Sequence, residues 1–282
     1  MLWLAALPLL AAGCAVSKKH VVPPAHIRPA LDATLDQLLA QYNQQARAVR
    51  SLNAGVELTP VAGSTYSGVI EEYHDIRGFI LAQRPAHIRM IGQAPVVAKN
   101  IFDMVSDGET FRIFIPSKNK FIVGRAAFER PAKKPIENLR PQHLLDALFW
   151  PEISGGQHVL FEEFNADIAR YYVLTVLRGS APLEIARKIW FDRADLSLAR
   201  VQLYGPAGRL AADIRYADWQ PLADVAYPRH IWVARPHDDY QLEVRITTLK
   251  LNEDIAADRF RLEQPPGTEL VRVGESDAGA KP

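Results

Sequence analysis

The chain has 282 residues, 48% of them hydrophobic and 23% charged, which is enough apolar material for one large domain with its own core. Lys and Arg total 33 against 32 Asp and Glu, a balance that excludes a whole-molecule field drawing the protein to nucleic acid or to an anionic membrane. The single cysteine, Cys14, excludes an internal disulfide and a cysteine-rich metal site.

The first segment, Met1-Leu-Trp-Leu-Ala-Ala-Leu-Pro-Leu-Leu-Ala-Ala-Gly-Cys14, is an apolar run too short to span a bilayer and it closes on small residues. It predicts a signal peptide over residues 1–13. Ala11-Ala12-Gly13-Cys14 resembles a bacterial lipobox, in which the thiol is acylated and becomes the first residue of the mature chain. Cys14 is therefore the expected lipidation site, the alternative being an ordinary cleaved signal beside a chance cysteine. Residues 14–30 are polar and Pro-bearing (Pro23, Pro24, Pro29) and read as lipid anchor and tether.

From Leu31 to Val49, apolar residues at Leu31, Leu35, Leu38, Leu39, Tyr42, Ala46 and Val49 fall on one helical face. So narrow a stripe is not stable alone in water and must lie against something apolar. From near Leu52 to about Leu251, period-two alternation dominates, as in Leu210, Ala212, Ile214, Tyr216 and in Leu242, Val244, Ile246, each set spaced by polar residues. Asp107-Gly108, Pro116-Ser-Lys-Asn119 and Gly205-Pro-Ala-Gly208 carry turn chemistry short enough for antiparallel neighbours. The pattern predicts roughly ten to twelve strands in a mainly β domain, without the strand-helix-strand rhythm of a parallel sheet. Tyr171 to Leu177 is apolar on both faces and predicts a strand covered on both sides.

One stretch breaks the alternation. After a Pro-rich segment, Gln142 to Trp150 predicts a short helix stopping at Pro151, with Leu144, Leu145, Leu148 and Phe149 forming a face too apolar for open water. A one-faced sheet under such a helix is either a packed core or a lidded cavity, and both remain open at this stage. Residues 274–282 predict a disordered tail.

Sites of chemistry were sought in the same way. Eight histidines are scattered without ligand spacing, so no metal is expected. His237-Asp238-Asp239 follows Pro236 and reads as a solvated turn, while Glu71 and Glu72 of the Glu71-Glu72-Tyr-His74-Asp75 cluster point to opposite faces of a strand. No nucleophile elbow, phosphate loop or dinucleotide fingerprint is present, so a non-enzymatic protein without cofactor is expected. Trp150, Trp190 and Trp232 suit either a core or an apolar cleft.

Several local patterns occur in a telling order. They are Arg84-Pro85-Ala86-His87-Ile88-Arg89, then Ile101 to Gly108 followed by Phe111 to Pro116, and last Phe260-Arg-Leu262 with Pro265-Pro-Gly267 and Glu269-Leu270. Together with the long helix and the short apolar one, they resemble the lipoprotein-localisation carrier and receptor family (LolA and LolB) over most of residues 31–273. The resemblance implies a half-open antiparallel β-barrel with a long N-terminal helix and a short apolar lid helix, holding acyl chains on its concave face. It also implies that Arg84 helps hold the lid shut through hydrogen bonds to the lid's backbone; as a residue alone, Arg84 reads equally as a solvated strand end.

The expected lid and gate residues are thus Arg84, Leu144, Leu145, Leu148 and Phe149, and the expected cavity wall is Ile88, Met90, Phe111, Ile113 and Ile115. The expected partners are acyl chains of lipoproteins or phospholipids, a membrane through the lipid anchor, and a periplasmic carrier protein, with no nucleic acid. The expected location is the cell envelope, on the outer membrane facing the periplasm. The alternative function is a structural or interaction protein of the envelope whose core is filled.

Overall fold

The computed structural model describes residues 29–64, 69–72, 76–94, 99–126, 141–166 and 169–273. The expected signal peptide, Cys14, most of the tether, the Pro-rich segment, His20, His26, His74 and the tail lie outside the described residues. The elements, in chain order, are α1 (Leu35–Ala48), β1 (Ser51–Ser64), β2 (Val69–Glu72), β3 (Ile76–Gln83), β4 (His87–Gln93), β5 (Asn100–Ser106), β6 (Thr110–Ile115), β7 (Lys120–Arg125), α2 (Pro141–Leu148), β8 (Val159–Asn165), β9 (Arg170–Arg178), β10 (Glu184–Asp192), β11 (Leu198–Tyr204), β12 (Leu210–Leu222), β13 (Val225–Arg235), β14 (Tyr240–Leu251) and β15 (Glu269–Val273).

The first helix begins four residues later than the apolar stripe predicts, and the reason is local. Thr34 forms a capping box with Gln37: the Thr34 hydroxyl accepts from the Gln37 amide, and the Gln37 side chain accepts from the Thr34 amide at 2.8 Å. This fixes the helix start, and Leu31 instead lies outside the helix, its amide bonded to the Arg193 carbonyl at 2.7 Å. Leu38, Tyr42 and Ala46 are buried along the predicted face.

Among the described residues, fifteen strands form one sheet in the order β15-β7-β6-β5-β4-β3-β1-β14-β13-β12-β11-β10-β9-β8, with β2 alongside the end of β1. The sheet is unclosed, with β15 and β8 at its two ends. This exceeds the ten to twelve strands expected, because short β2 and β15 carry little alternation and β8 (Val-Leu-Phe-Glu-Glu-Phe-Asn) is irregular in pattern. All pairings are antiparallel except one: β15 runs parallel to β7. The chain leaves central β14 and crosses the outer face of the sheet, so it arrives at β7 in the parallel sense. Arg89 and Arg112 hold that crossing segment by donating to the carbonyls of Arg259 (2.9 Å) and Leu262 (3.2 Å).

The Asp107-Gly108 turn joins β5 to β6 as predicted. Asp107 Oδ1 accepts from the amides of Glu109 and Thr110, and Gly108 sits at φ +95° with the Ala86 side chain pressed against it. A Cβ there would stand 2.5 Å from that of Ala86, so only glycine fits.

The alternation resolves into two faces. On the inner one, Leu52, Ala54, Val56 and Leu58 of β1, Ile80 and Ala82 of β3, and Val244 and Leu242 of β14 are buried in one cluster with α1 and α2. Strands from both halves of the sheet contribute to this cluster, so the sheet curls round the two helices. In β9, residues 172–176 are buried on both faces, as the apolar run at Tyr171 to Leu177 predicts. Its inner residues Tyr172, Leu174 and Val176 join the same core, and the Tyr172 hydroxyl lies 3.4 Å from the Ala33 amide.

Candidate functional site

The short helix falls where the sequence places it, shifted by one residue at its start and two at its end: it spans Pro141–Leu148, and Phe149 and Trp150 follow as a buried non-helical turn. It packs against β4, β5 and β13. Leu144, Leu145, Leu148 and Phe149 are all buried in the common cluster. Of the wall candidates, Ile88, Met90, Phe111 and Ile113 face inward and are buried in the same cluster; Ile115 is half-buried at its border. The expected lid and wall residues are therefore packed together in one buried cluster between the helix and the sheet.

The C-terminal end of α2 should leave carbonyls without intrahelical donors. Here the Leu145 carbonyl accepts from the Phe149 amide, and side chains meet those of Ala147, Leu148 and, beyond the helix, Pro151. Tyr216 donates to the Ala147 carbonyl at 3.1 Å, Tyr227 to the Leu148 carbonyl at 2.9 Å, and Tyr42 of α1 to the Pro151 carbonyl at 3.1 Å. The Trp150 indole N–H donates to the Tyr216 hydroxyl at 2.9 Å, and its ring lies against those of Tyr216, Trp219 and Tyr227. Burial raises the pKa of all three tyrosines, Tyr42 to about 12, so the hydroxyls stay protonated and able to donate.

Arg84, at the corner between β3 and β4, ties this end to α1. Its Nη2 donates to the Trp150 carbonyl at 2.8 Å and to the Ala46 carbonyl at 3.0 Å, and its Nε donates to the Val49 carbonyl at 3.0 Å. The guanidinium also lies 5.0 Å from the Phe149 ring centroid. Burial lowers the Arg84 pKa from the ordinary arginine value, with Glu152 opposing. Beyond Trp150, Asn43 makes two bonds with the backbone of Ile153 (2.8 and 2.9 Å), and Arg187 donates to the Glu152 carbonyl at 3.0 Å.

The other end of the helix is held more lightly. His143 Nδ1 lies 2.7 Å from the Tyr240 hydroxyl, and Gln142 Oε1 lies 3.4 Å from the Ser106 hydroxyl. Asp146 is the exposed residue of α2, yet desolvation by the protein beside it pushes its carboxyl up to about 6, with the charge of Arg235 opposing.

The tyrosine clamp is not named among the sequence-predicted site residues, although a signal for it exists. Tyr216 continues the inward set Leu210, Ala212, Ile214, and a tyrosine on a dry face needs a partner for its hydroxyl. Trp150 belongs to the core rather than to an open cleft, Trp190 packs on the outer face against Phe164 and Tyr171, and Trp232 is half-buried on β13. Asp238 of the His237-Asp238-Asp239 turn pairs with Arg235 at 2.5 Å. Among the described residues, no group of three His, Cys, Asp or Glu is placed to hold a metal ion. The side chains of Glu71 and Glu72 lie outside the described set.

Comparison with known proteins adds the fold. No protein-family model matches the chain. No curated protein matches it. Among solved structures, it is similar to a DUF1329 family protein from Desulfovibrio piger, with 12% identity and a TM-score of 0.54, over 79% of this chain and 94% of that one. It also matches a LolA superfamily protein from Nitrosomonas europaea, with 14% identity and a TM-score of 0.48, over 82% and 99% of the two chains. A third match is a putative outer membrane lipoprotein-sorting protein domain from Vibrio parahaemolyticus, at 10% identity and a TM-score of 0.45, over 79% and 94%. At these identities the likeness concerns fold. The unclosed antiparallel sheet around an N-terminal helix and a short apolar helix has the architecture expected from the sequence, with a larger sheet.

Proposed function

We propose that this chain is a non-enzymatic envelope protein, anchored through acylated Cys14 and facing the periplasm from the outer membrane, that takes acyl chains of lipoproteins or phospholipids between its sheet and α2. The observation that carries this reading is the latch: α2 presents its apolar face to an apolar sheet and is tied at one end by Arg84 to Trp150, Ala46 and Val49.

The magnitudes favour exchange between lid and ligand. Burying Leu144, Leu145, Leu148 and Phe149 stabilises the closed state by about 1.5–3 kcal/mol each, roughly 6–12 in all. A single acyl chain of about 16 carbons, at about 0.8 kcal/mol per buried CH₂, offers roughly 12 kcal/mol. A ligand can therefore replace the lid's own side chains on the inner face without a large net change, and the LolA-like architecture, with its lipoprotein-sorting relatives, is consistent with this. A periplasmic carrier protein is the proposed donor or acceptor of the chain.

The second reading, an interaction protein with a permanently filled core, is favoured by the near-complete burial of Leu144, Leu148 and Trp150. Native mass spectrometry with lipid extraction, on protein recovered from a bacterial periplasm, separates the two. A co-purified acylated species, lost in Leu148→Glu, is expected; protein that stays free of ligand when lipoprotein or phospholipid is added would establish the filled core.

A further inference from the structure

Four large apolar side chains stand exposed in one region of the surface, at the end of the sheet where the chain enters the fold. Leu160 (59% exposed), Phe161 (39%) and Phe164 (45%) belong to β8, and Leu31 (45%) belongs to the segment before α1. They are linked structurally. The Arg193 side chain donates to the Leu31 carbonyl, pairs with Asp32 at 2.8 Å and pairs with Glu163 of β8 at 3.1 Å. Phe161 lies on the Tyr172 ring, whose hydroxyl lies 3.4 Å from Asp32. Phe164 continues the patch on the outer face through Trp190 and Tyr171.

Among the described residues, β8 pairs through its seven residues with β9 alone, and every one from Leu160 onward is exposed. A long apolar edge of this kind is normally blunted or covered. Glu162 faces Lys188, while Glu163 and Asp32 share Arg193, so the cluster carries a single net negative charge and its apolar side chains dominate the surface. A second copy is a poor occupant, because antiparallel pairing of β8 with itself sets the Glu162-Glu163 step against its own copy at the centre.

We propose that this edge is a membrane-resting surface: Leu31, Leu160, Phe161 and Phe164 settle into the headgroup region of the bilayer that holds the anchor. This rests on the lipid-anchored reading above. The 16 residues between Cys14 and Leu31 span at most about 55 Å even when fully extended. The patch beside its exit is therefore held at high effective concentration against the bilayer, and weak apolar contact suffices. Only the hydrated interfacial layer is suitable, since the free edge of β8 would leave backbone groups unpaired in hydrocarbon. The consequence is an orientation: β8 and Leu31 face the membrane, and the distant β15 end faces away.

Hydrogen-exchange mass spectrometry tests it on the full chain in vesicles of phosphatidylethanolamine and phosphatidylglycerol, against a Cys14→Ser chain in solution. We expect exchange at residues 159–165 and 30–33 to slow by roughly tenfold on vesicles, and Leu160→Asp or Phe161→Asp to abolish the slowing while exchange at β1 is unchanged. Phe79→Asp, at an exposed position on β3, should leave it intact. Slowing at another surface, no slowing at β8, or slowing that follows protein concentration in solution would overturn the proposal, the last by assigning the edge to a second copy. The mass of the N-terminal peptide reports acylation separately. If it carries no acyl group, the anchoring reading fails by itself, and coupling Cys14 to a maleimide lipid still tests the patch.

Discussion

The Arg84 guanidinium and the Trp150 carbonyl oxygen meet at 2.8 Å, joining the corner between β3 and β4 to the turn that follows α2. The same side chain reaches the carbonyls of Ala46 in α1 and of Val49 at its C-terminal cap, so one residue ties three parts of the fold. Arg84→Met removes all three bonds and leaves partly buried carbonyls without donors, which should lower the unfolding free energy by about 2–4 kcal/mol in a urea titration. Arg84→Lys should recover only part of this, because an ammonium cannot reproduce the planar fork that joins α1 to the turn after α2.

Tyr216 tests the clamp independently of charge. Its hydroxyl accepts from the Trp150 indole and donates to the Ala147 carbonyl, both fully buried. Tyr216→Phe keeps the ring packing and strands both groups, and should cost about 2–4 kcal/mol by the same titration. A change below roughly 0.5 kcal/mol would show that the clamp is not formed in solution.

Asp146 gives a pH dependence with a definite sign. Its carboxyl holds a proton up to about 6 in the folded state but releases it near 3.8 when unfolded. Between these values the folded state binds more protons, so this group's contribution to stability is fully present below the lower value and is lost as pH rises through about 6. Asp146→Asn removes the dependence. Its melting temperature should exceed that of the parent at pH 7, with the difference shrinking through the window and gone below pH 4, as read by calorimetry across that range.

The start of α1 depends on Thr34, whose hydroxyl and backbone amide complete the capping box with Gln37. Thr34→Ala should cost about 1 kcal/mol and lower the melting temperature by about 2–4 °C. A larger loss would show that the Leu31 segment, bonded to Arg193, detaches together with the helix start.

Much of this architecture is written locally in the chain. The stripe from Leu38 to Val49, the alternation through Leu242, Val244 and Ile246, and the apolar face of Leu144 to Phe149 each need only periodicity to read, and the structure places each on the inner side. The Asp107-Gly108 hairpin is equally legible, because its geometry is set by two residues. What periodicity does not carry is long-range pairing. The parallel seat of β15 beside β7 depends on where a crossing segment lands, and the clamp of Tyr42, Tyr216 and Tyr227 on α2 depends on strands far apart in sequence meeting at one helix end. The edge strand β8 escaped the strand pattern for the opposite reason: with both sides exposed, it has no dry face to alternate against.

The central claim is that acyl chains occupy the inner face when the lid moves. Photo-crosslinking with a diazirine-bearing fatty acyl lipid, followed by peptide mapping, measures this most directly. The account predicts adducts on inward residues such as Met90, Phe111 and Leu148, increased by Arg84→Met. Adducts confined to outer residues such as Phe79 and Ile91, or none on the inner face even with the latch removed, would contradict it.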